Sequence, residues 1–158
     1  MPKRIADHSG FFDTDQQFVL KLLDEWQPSP ACKTEKNHEV HLQTYLQQRL
    51  PDVPIVAQYG IAKGKADLVI EDRHVIELKL AFDIESVAEF DRCIGQLERY
   101  RQKWLKPGRG PVYLVVVGQS DAEFRDLLHV WFDEMNPTFN TIIESPRLHL
   151  LEKLIASP

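Results

Sequence analysis

Three ionisable side chains sit where a strand core wants carbon. In the stretch ADLVIEDRHVIELKL, Ala66 to Leu80, two apolar runs flank the polar triplet EDR, yet Asp67, Glu77 and Lys79 lie inside those runs. Side chains alternate across a strand, so Val75, Glu77 and Lys79 share one face while Ile76, Leu78 and Leu80 share the other. If EDR is a three-residue turn centred on Asp72, Asp67 lies five residues before the centre and Glu77 five after it, which sets the two carboxylates opposite one another. Opposed cross-strand side chains have Cβ atoms about 5 Å apart, and like charges there are destabilising unless compensated. A divalent cation is the natural compensation. Mg2+ takes carboxylate and water oxygens and keeps waters that chemistry can use. Lys79 would then stand beside that water or a substrate phosphate, where it can orient a nucleophile or stabilise developing negative charge. A turn of two or four residues would break the pairing, and an isolated E-x-K in a strand is also the pattern of a surface ion pair.

Neighbouring segments offer more polar groups. Glu39 falls three and seven residues before Leu42 and Leu46, at the edge of a helical stripe, and Glu35 is one turn earlier on the same side. Either is more often a solvated acid favoured by a helix N-terminus. The adjacent HEVH is not a zinc-protease motif, because His38 and His41 are three apart where that chemistry needs four. His8, His74, His129 and His149 show no ligand grouping. Downstream, GQLERY places Gln96 and Tyr100 four apart on one helix face, with Arg92, Arg99 and Lys103 near the same stripe. Arg99, Arg101, Lys103, Lys106 and Arg109 then accumulate among Tyr100 and Trp104 with no acid after Glu98. With Lys63 and Lys65 in AKGK, this is a candidate surface for a phosphate backbone; a solvated helix face explains the individual arginines as well.

The elements that must position these groups follow from periodicity. Phe18, Val19, Leu22, Leu23 and Trp26 predict an accessory helix over about 14–26, with Thr14 and Gln17 as its capping box, and QPSPACK a linker after it. Leu42, Tyr45, Leu46 and Leu50 predict a helix from about Thr34 to Leu50, stopped by PDVP. IVAQYG and the two hairpin strands come next, then a helix from about Ile84 to Leu105 ended by KPGRG, and the buried strand PVYLVVVG. Ser120 with Glu123 caps a last amphipathic helix whose stripe is Phe124, Leu127, Leu128, Trp131 and Met135. TFNTIIES reads as an edge strand and RLHLLEKLI as a short helix. The sum is one α/β domain over residues 1–158: a mixed sheet flanked by helices, a core over about 34–118, and a C-terminal helix and tail over about 120–158.

Composition agrees with that frame. Of 158 residues, 43% are hydrophobic and 27% charged, which is globular usage with no low-complexity tract. Cys32 and Cys93 lack the paired spacing of a zinc or disulfide framework and are expected as reduced, buried thiols. No apolar run approaches the roughly 18 residues that span a bilayer, and MPKRIADHSG is not a signal peptide, so a cytoplasmic protein without membrane contact is expected. The net charge of −5 weighs against a non-specific polyanion binder, which makes the local basic run the more telling feature.

Taken in order, Glu39, GKADLVI with Asp67, VIELKL with Glu77 and Lys79, and QLERY with Gln96 and Tyr100 resemble the PD-(D/E)XK nuclease superfamily. The Gln-x-x-x-Tyr pattern is similar to the motif of its RecB-like exonuclease branch. The resemblance covers about Thr34 to Gly118 and implies a restriction-endonuclease-like sandwich with an αβββαβ core. It further implies Mg2+-dependent hydrolysis of nucleic-acid phosphodiesters, with Mn2+ able to substitute and DNA ahead of RNA. Asp67 and Glu77 would be metal ligands together with the backbone carbonyl of Leu78, and Glu39 would hold a metal-bound water or a second metal. Lys79 would position the attacking water, and Gln96 with Tyr100 would support the lysine or the substrate. Ala66 stands where the family name has proline, a position the family varies freely. The alternative is a nucleic-acid-binding or assembly module that keeps the fold without turnover. A homodimer or larger assembly is left open by the residues.

Overall fold

A computed structural model describes residues 12–61, 64–103, 111–118, 122–123, 125–127, 129–130 and 148–155. Three helices, α1 (Phe12–Glu25), α2 (Glu35–Arg49) and α3 (Val87–Lys103), flank a five-stranded mixed sheet of β1 (Ile55–Ile61), β2 (Gly64–Ile70), β3 (His74–Leu80), β4 (Val112–Val117) and β5 (Leu148–Lys153). The spatial order is β1-β2-β3-β4-β5. β1, β2 and β3 form an antiparallel meander, while β4 lies parallel to β3 after the α3 crossover and β5 lies parallel to β4. From α2 to β4 the order is helix, three strands, helix, strand, as expected from the sequence.

Each sheet face has its own core. Ile76, Leu78, Tyr113 and Val115 pack with Leu42 and Leu46 of α2 and with Val19, Leu22, Leu23 and the following Trp26 from α1. On the opposite face, Val69, Val75, Leu114 and Val116 pack with Cys93, Leu97 and Tyr100 of α3. Every residue of β4 is buried, which is why its apolar run is continuous where a half-exposed strand would alternate. Fully burying one such Val or Leu side chain is worth about 1.5–3 kcal/mol.

Caps set the helix ends. Thr34 Oγ1 accepts the Asn37 N–H at 3.1 Å and starts α2. Ser86 Oγ accepts the Glu89 N–H at 3.2 Å and starts α3, after a 3-10 turn over Ala81–Ile84. The S-x-x-E signature at Ser86 could have moved the expected start from Ile84 to this point. α1 begins at Phe12, two residues ahead of the Thr14 expected to cap it, so Thr14 lies inside the helix.

RLHLLEKLI corrects a second expectation, for Leu148–Lys153 is a strand and not part of a helix. Its apolar spacing suits either period, and the deciding partner is β4, whose buried edge would otherwise leave backbone N–H and C=O groups unpaired. Lys153 at the strand end is buried, and its Nζ donates to the Asp24 carbonyl at 2.5 Å in the last turn of α1, where no basic residue of the helix itself is available. Residues 122–123, 125–127 and 129–130 are helical, but Leu127, expected on the inward stripe, is exposed. Arg125 and His129, four apart, instead turn toward Glu152 of β5, at 2.9 and 2.6 Å. Leu105, Ser120, Phe124, Leu128, Trp131, Met135 and the TFNTIIES segment lie outside the described residues. Cys93 is buried as expected, whereas Cys32 is only half-buried; both are free thiols. No helix among the described residues is long and apolar enough to cross a membrane.

His74, at the start of β3, is fully buried, with Nδ1 at 2.9 Å from the Tyr113 hydroxyl. Burial, aided by Arg73 and His149, lowers its pKa to about 3. The unfolded chain therefore binds a proton near pH 6.5 that the folded chain refuses, so stability from this group is complete above that pH and falls as pH drops toward 3. We expect a loss of about 1.4 kcal/mol per pH unit in that window. Urea unfolding of His74→Gln between about pH 7.5 and 4.5 should show a shallower pH slope than the parent; equal slopes would contradict it.

Candidate active site

The hairpin has the turn the register requires. Its loop is Glu71–Arg73, with Glu71 and Asp72 both at φ 54°, and the pairs Leu68↔Ile76, Val69↔Val75 and Ile70↔His74 are all centred on Asp72. Continued by one step, that register sets Asp67 opposite Glu77. The ladder opens there, for Asp67 Oδ2 accepts the Leu78 N–H at 2.8 Å in place of a backbone carbonyl. The N–H and C=O of one strand residue point toward the same neighbour, so the Leu78 carbonyl also faces the opened side.

The two carboxyl groups are close enough to hydrogen-bond to each other. Burial, and next the Asp67 charge, hold the Glu77 carboxyl well above the usual range. Asp67 is raised by burial first, with the Leu78 N–H opposing and Glu39 adding to the rise. In the metal-free protein at least one of the pair therefore keeps its proton more readily than a free acid would. Lys79 Nζ stands 3.8 Å from Glu77 Oε1. Burial alone would lower its pKa, but Glu77, Glu35 and Asp67 outweigh that and raise it, so the lysine stays cationic.

α3 reaches the site from the opposite side. The Tyr100 hydroxyl lies 2.9 Å from Glu77 Oε2 and 3.1 Å from the Lys65 carbonyl, to either of which it can donate, and Gln96 Nε2 donates to Tyr100 Oη at 2.9 Å. Gln96 thus bears on the metal-ligand candidate Glu77 through Tyr100, where the sequence reading has it support the lysine or the substrate. Spacing had indicated the shared face of Gln96 and Tyr100, but which group they hold depends on how α3 crosses β3.

α2 brings both of its acids. Glu39 is buried and acts on Asp67 electrostatically. Glu35, half-buried, is raised by burial first, with Lys79 opposing and with Asp67 and a hydrogen bond to Asp83 adding to the rise. The structure therefore brings Glu35, Glu39, Asp67, Glu77, Lys79, Gln96 and Tyr100 together. Asp83 and Gln58 are additions that the sequence reading missed. Gln58 Nε2 donates to both carboxylate oxygens of Glu39, at 3.0 and 3.1 Å. Its backbone has φ 54°, a left-handed conformation that costs a non-glycine residue about 1–3 kcal/mol. The position lies between the pairs Ala57↔Leu68 and Tyr59↔Ala66, directly across from Asp67. Ala57 and Leu68 face the α1/α2 core while Tyr59 and Ala66 face the α3 core. Residues two apart normally share a face, so the β1–β2 ribbon changes faces at Gln58 and Asp67. The only advance sign was a polar residue in the strand IVAQYG, opposite the Asp once the register is known.

Among the basic candidates, Lys65, Arg99 and Lys103 are exposed, Arg92 pairs with Glu89 at 2.5 Å, Arg101 lies within α3, and Lys63 is outside the described residues. Arg92, Gln96, Arg99 and Lys103 recur at helical spacing, so the basic stripe runs along α3 from the site.

Among the described residues no group of three or more His, Cys, Asp or Glu side chains is arranged to hold a metal ion. The donor set is two carboxylates, with the Leu78 carbonyl on the same side. That set suits Mg2+, which is commonly held by one or two carboxylates and completes its shell with waters and substrate phosphates; it does not suit zinc, which takes three or four protein ligands. No family model, curated protein or solved structure matches this chain.

Proposed function

We propose that the chain is a Mg2+-dependent nuclease with a restriction-endonuclease-like core, hydrolysing phosphodiester bonds of nucleic acid, DNA ahead of RNA. The observation that carries this reading is the opposed Asp67–Glu77 pair with the cationic Lys79 at 3.8 Å from Glu77. Two acids held against each other and largely out of water cannot both ionise without a repulsion that Lys79 offsets only in part, which raises the energy of the ionised metal-free site. A cation held by Asp67, Glu77 and the Leu78 carbonyl would neutralise the pair and polarise a phosphoryl oxygen. Glu39 would bear on the same cation from α2. Lys79 would hold the attacking water or the scissile phosphate, and Tyr100, steadied by Gln96, would fix the Glu77 carboxylate. Mn2+, with similar oxygen preference, would substitute.

The deciding experiment incubates the protein with circular DNA, linear DNA and RNA in Mg2+, Mn2+ or EDTA. Cleavage in either metal and none in EDTA is expected. Binding without cleavage of any substrate would instead favour an assembly or binding module. Replacing Arg99, Arg101 and Lys103 by Ala should weaken binding at low salt and flatten the plot of log K against log salt by about one unit per lost phosphate contact. Turnover at saturating nucleic acid should stay near parental; an unchanged salt slope would make the stripe a solvated face.

A further inference from the structure

Gln58 combines three features that packing does not explain: a left-handed backbone in mid-strand, a position across from Asp67, and a carboxamide that donates to both oxygens of Glu39. Its own side chain is exposed, so burial does not account for the strained conformation. Strained non-glycine residues persist where the surrounding structure over-determines them, which is typical of functional sites.

We propose that Gln58 is a positioning residue for the nuclease centre, orienting the Glu39 carboxylate so that Glu39, not Glu35, is the α2 acid that supports a cation held by the Asp67–Glu77 pair. The inference rests on the nuclease reading and deepens it. A carboxylate has about four lone-pair positions. Gln58 takes one on each oxygen, and Lys36 Nζ at 3.3 Å takes another on Oε1, so Glu39 is anchored yet keeps acceptor capacity for a cation or its bound water. The Lys36 side chain is largely exposed, so its hold is weak beside that of Gln58. Glu35 also acts electrostatically with Asp67, but its hydrogen bond goes to Asp83 and its cationic partner is Lys79, and it has no comparable anchor on β1 among the described residues. The left-handed turn at residue 58 is what sends the side chain toward α2 while the strand on either side continues its ladder with β2.

The test is Mn2+ binding to the full chain without nucleic acid, read from the electron paramagnetic resonance of free Mn2+, for the parent, Gln58→Gly, Glu39→Ala, the double variant and Asp67→Asn. Glycine accepts φ 54° without strain, so Gln58→Gly should keep or raise Tm. A purely structural role would lower Tm and affinity together. Its Kd for Mn2+ should nevertheless weaken about 10-fold or more, the usual effect of losing a group that orients a ligand. Its kcat on DNA should fall with KM for DNA unchanged. Glu39→Ala should weaken binding similarly, and adding Gln58→Gly to it should cost nothing more, because Gln58 acts only through Glu39. Parental Mn2+ affinity in Gln58→Gly, or additive losses in the double variant, would overturn the proposal while leaving the nuclease reading intact. If the parent binds no Mn2+, or Asp67→Asn binds it as well as the parent, the nuclease reading falls and this proposal with it.

Discussion

Asp67→Asn and Glu77→Gln are each expected to lower the proposed Mg2+-dependent cleavage by about 10³-fold, on the scale of removing a principal electrostatic contributor, and both should melt above the parent when metal is absent. The two halves have one cause. In the parent the carboxyls are held against each other away from water, and either amide removes one charge while keeping the local bonds. The side-chain carbonyl introduced by Asp67→Asn can still accept the Leu78 N–H, and the one introduced by Glu77→Gln can still accept the Tyr100 hydroxyl, as the native acids do. The pH dependence follows from the raised folded-state pKa values. Each acid contributes stability that is complete below its unfolded pKa, near 4, and is lost as pH rises through its folded pKa. Metal-free parent should therefore lose Tm on going from acid to neutral pH, and the variants should lose less. For a chain of this size about 1 kcal/mol corresponds to roughly 2–4 °C. Differential scanning fluorimetry in EDTA at about pH 5 and pH 8, repeated with Mg2+, checks the sign. Mg2+ should raise the Tm of the parent and do little for Asp67→Asn. Variants that cut at the parental rate would remove the pair from the reaction.

Lys79→Met is expected to lower turnover at saturating substrate by about 10²–10³-fold, the range for losing one preorganised charge aimed at the reacting group. Its effect on Mg2+ affinity should be small or favourable, because the lysine is a donor without lone pairs and competes with a cation for the same carboxylates. Glu77, Glu35 and Asp67 keep it charged despite its burial, so the parental rate should show no lysine titration below its ordinary pKa. Mg2+ titration by calorimetry and single-turnover cleavage separate the two effects. A near-parental rate would reduce Lys79 to an ion-pair partner of Glu77. A rate loss explained entirely by weaker Mg2+ binding would place the lysine on the metal side of the problem.

Much of this was decided by local chemistry and is visible in the chain alone. Helical spacing of Leu42, Leu46 and Leu50 follows from a helix meeting one apolar layer, alternation through Val75 to Leu80 from the two faces of a strand, and the continuous run of β4 from burial between two layers. The register of Asp67 and Glu77 follows locally only once the turn is known to have three residues centred on Asp72, a length that the sequence did not distinguish from two or four. What spacing could not decide is any feature whose cause lies on another element. RLHLLEKLI has no period that excludes a helix, and it is the unpaired edge of β4 that draws Leu148–Lys153 into the sheet. Gln96 and Tyr100 share a face in any helix, but only the crossing of α3 over β3 directs them to Glu77. Gln58 is the furthest from local rules: its left-handed turn opposes the propensity of its own strand, and its bond to Glu39 spans 19 residues of sequence. Local pattern thus set the faces and, given a three-residue turn, the opposed acids, whereas the orientation of each acid came from contacts between elements, whose energies no single segment contains.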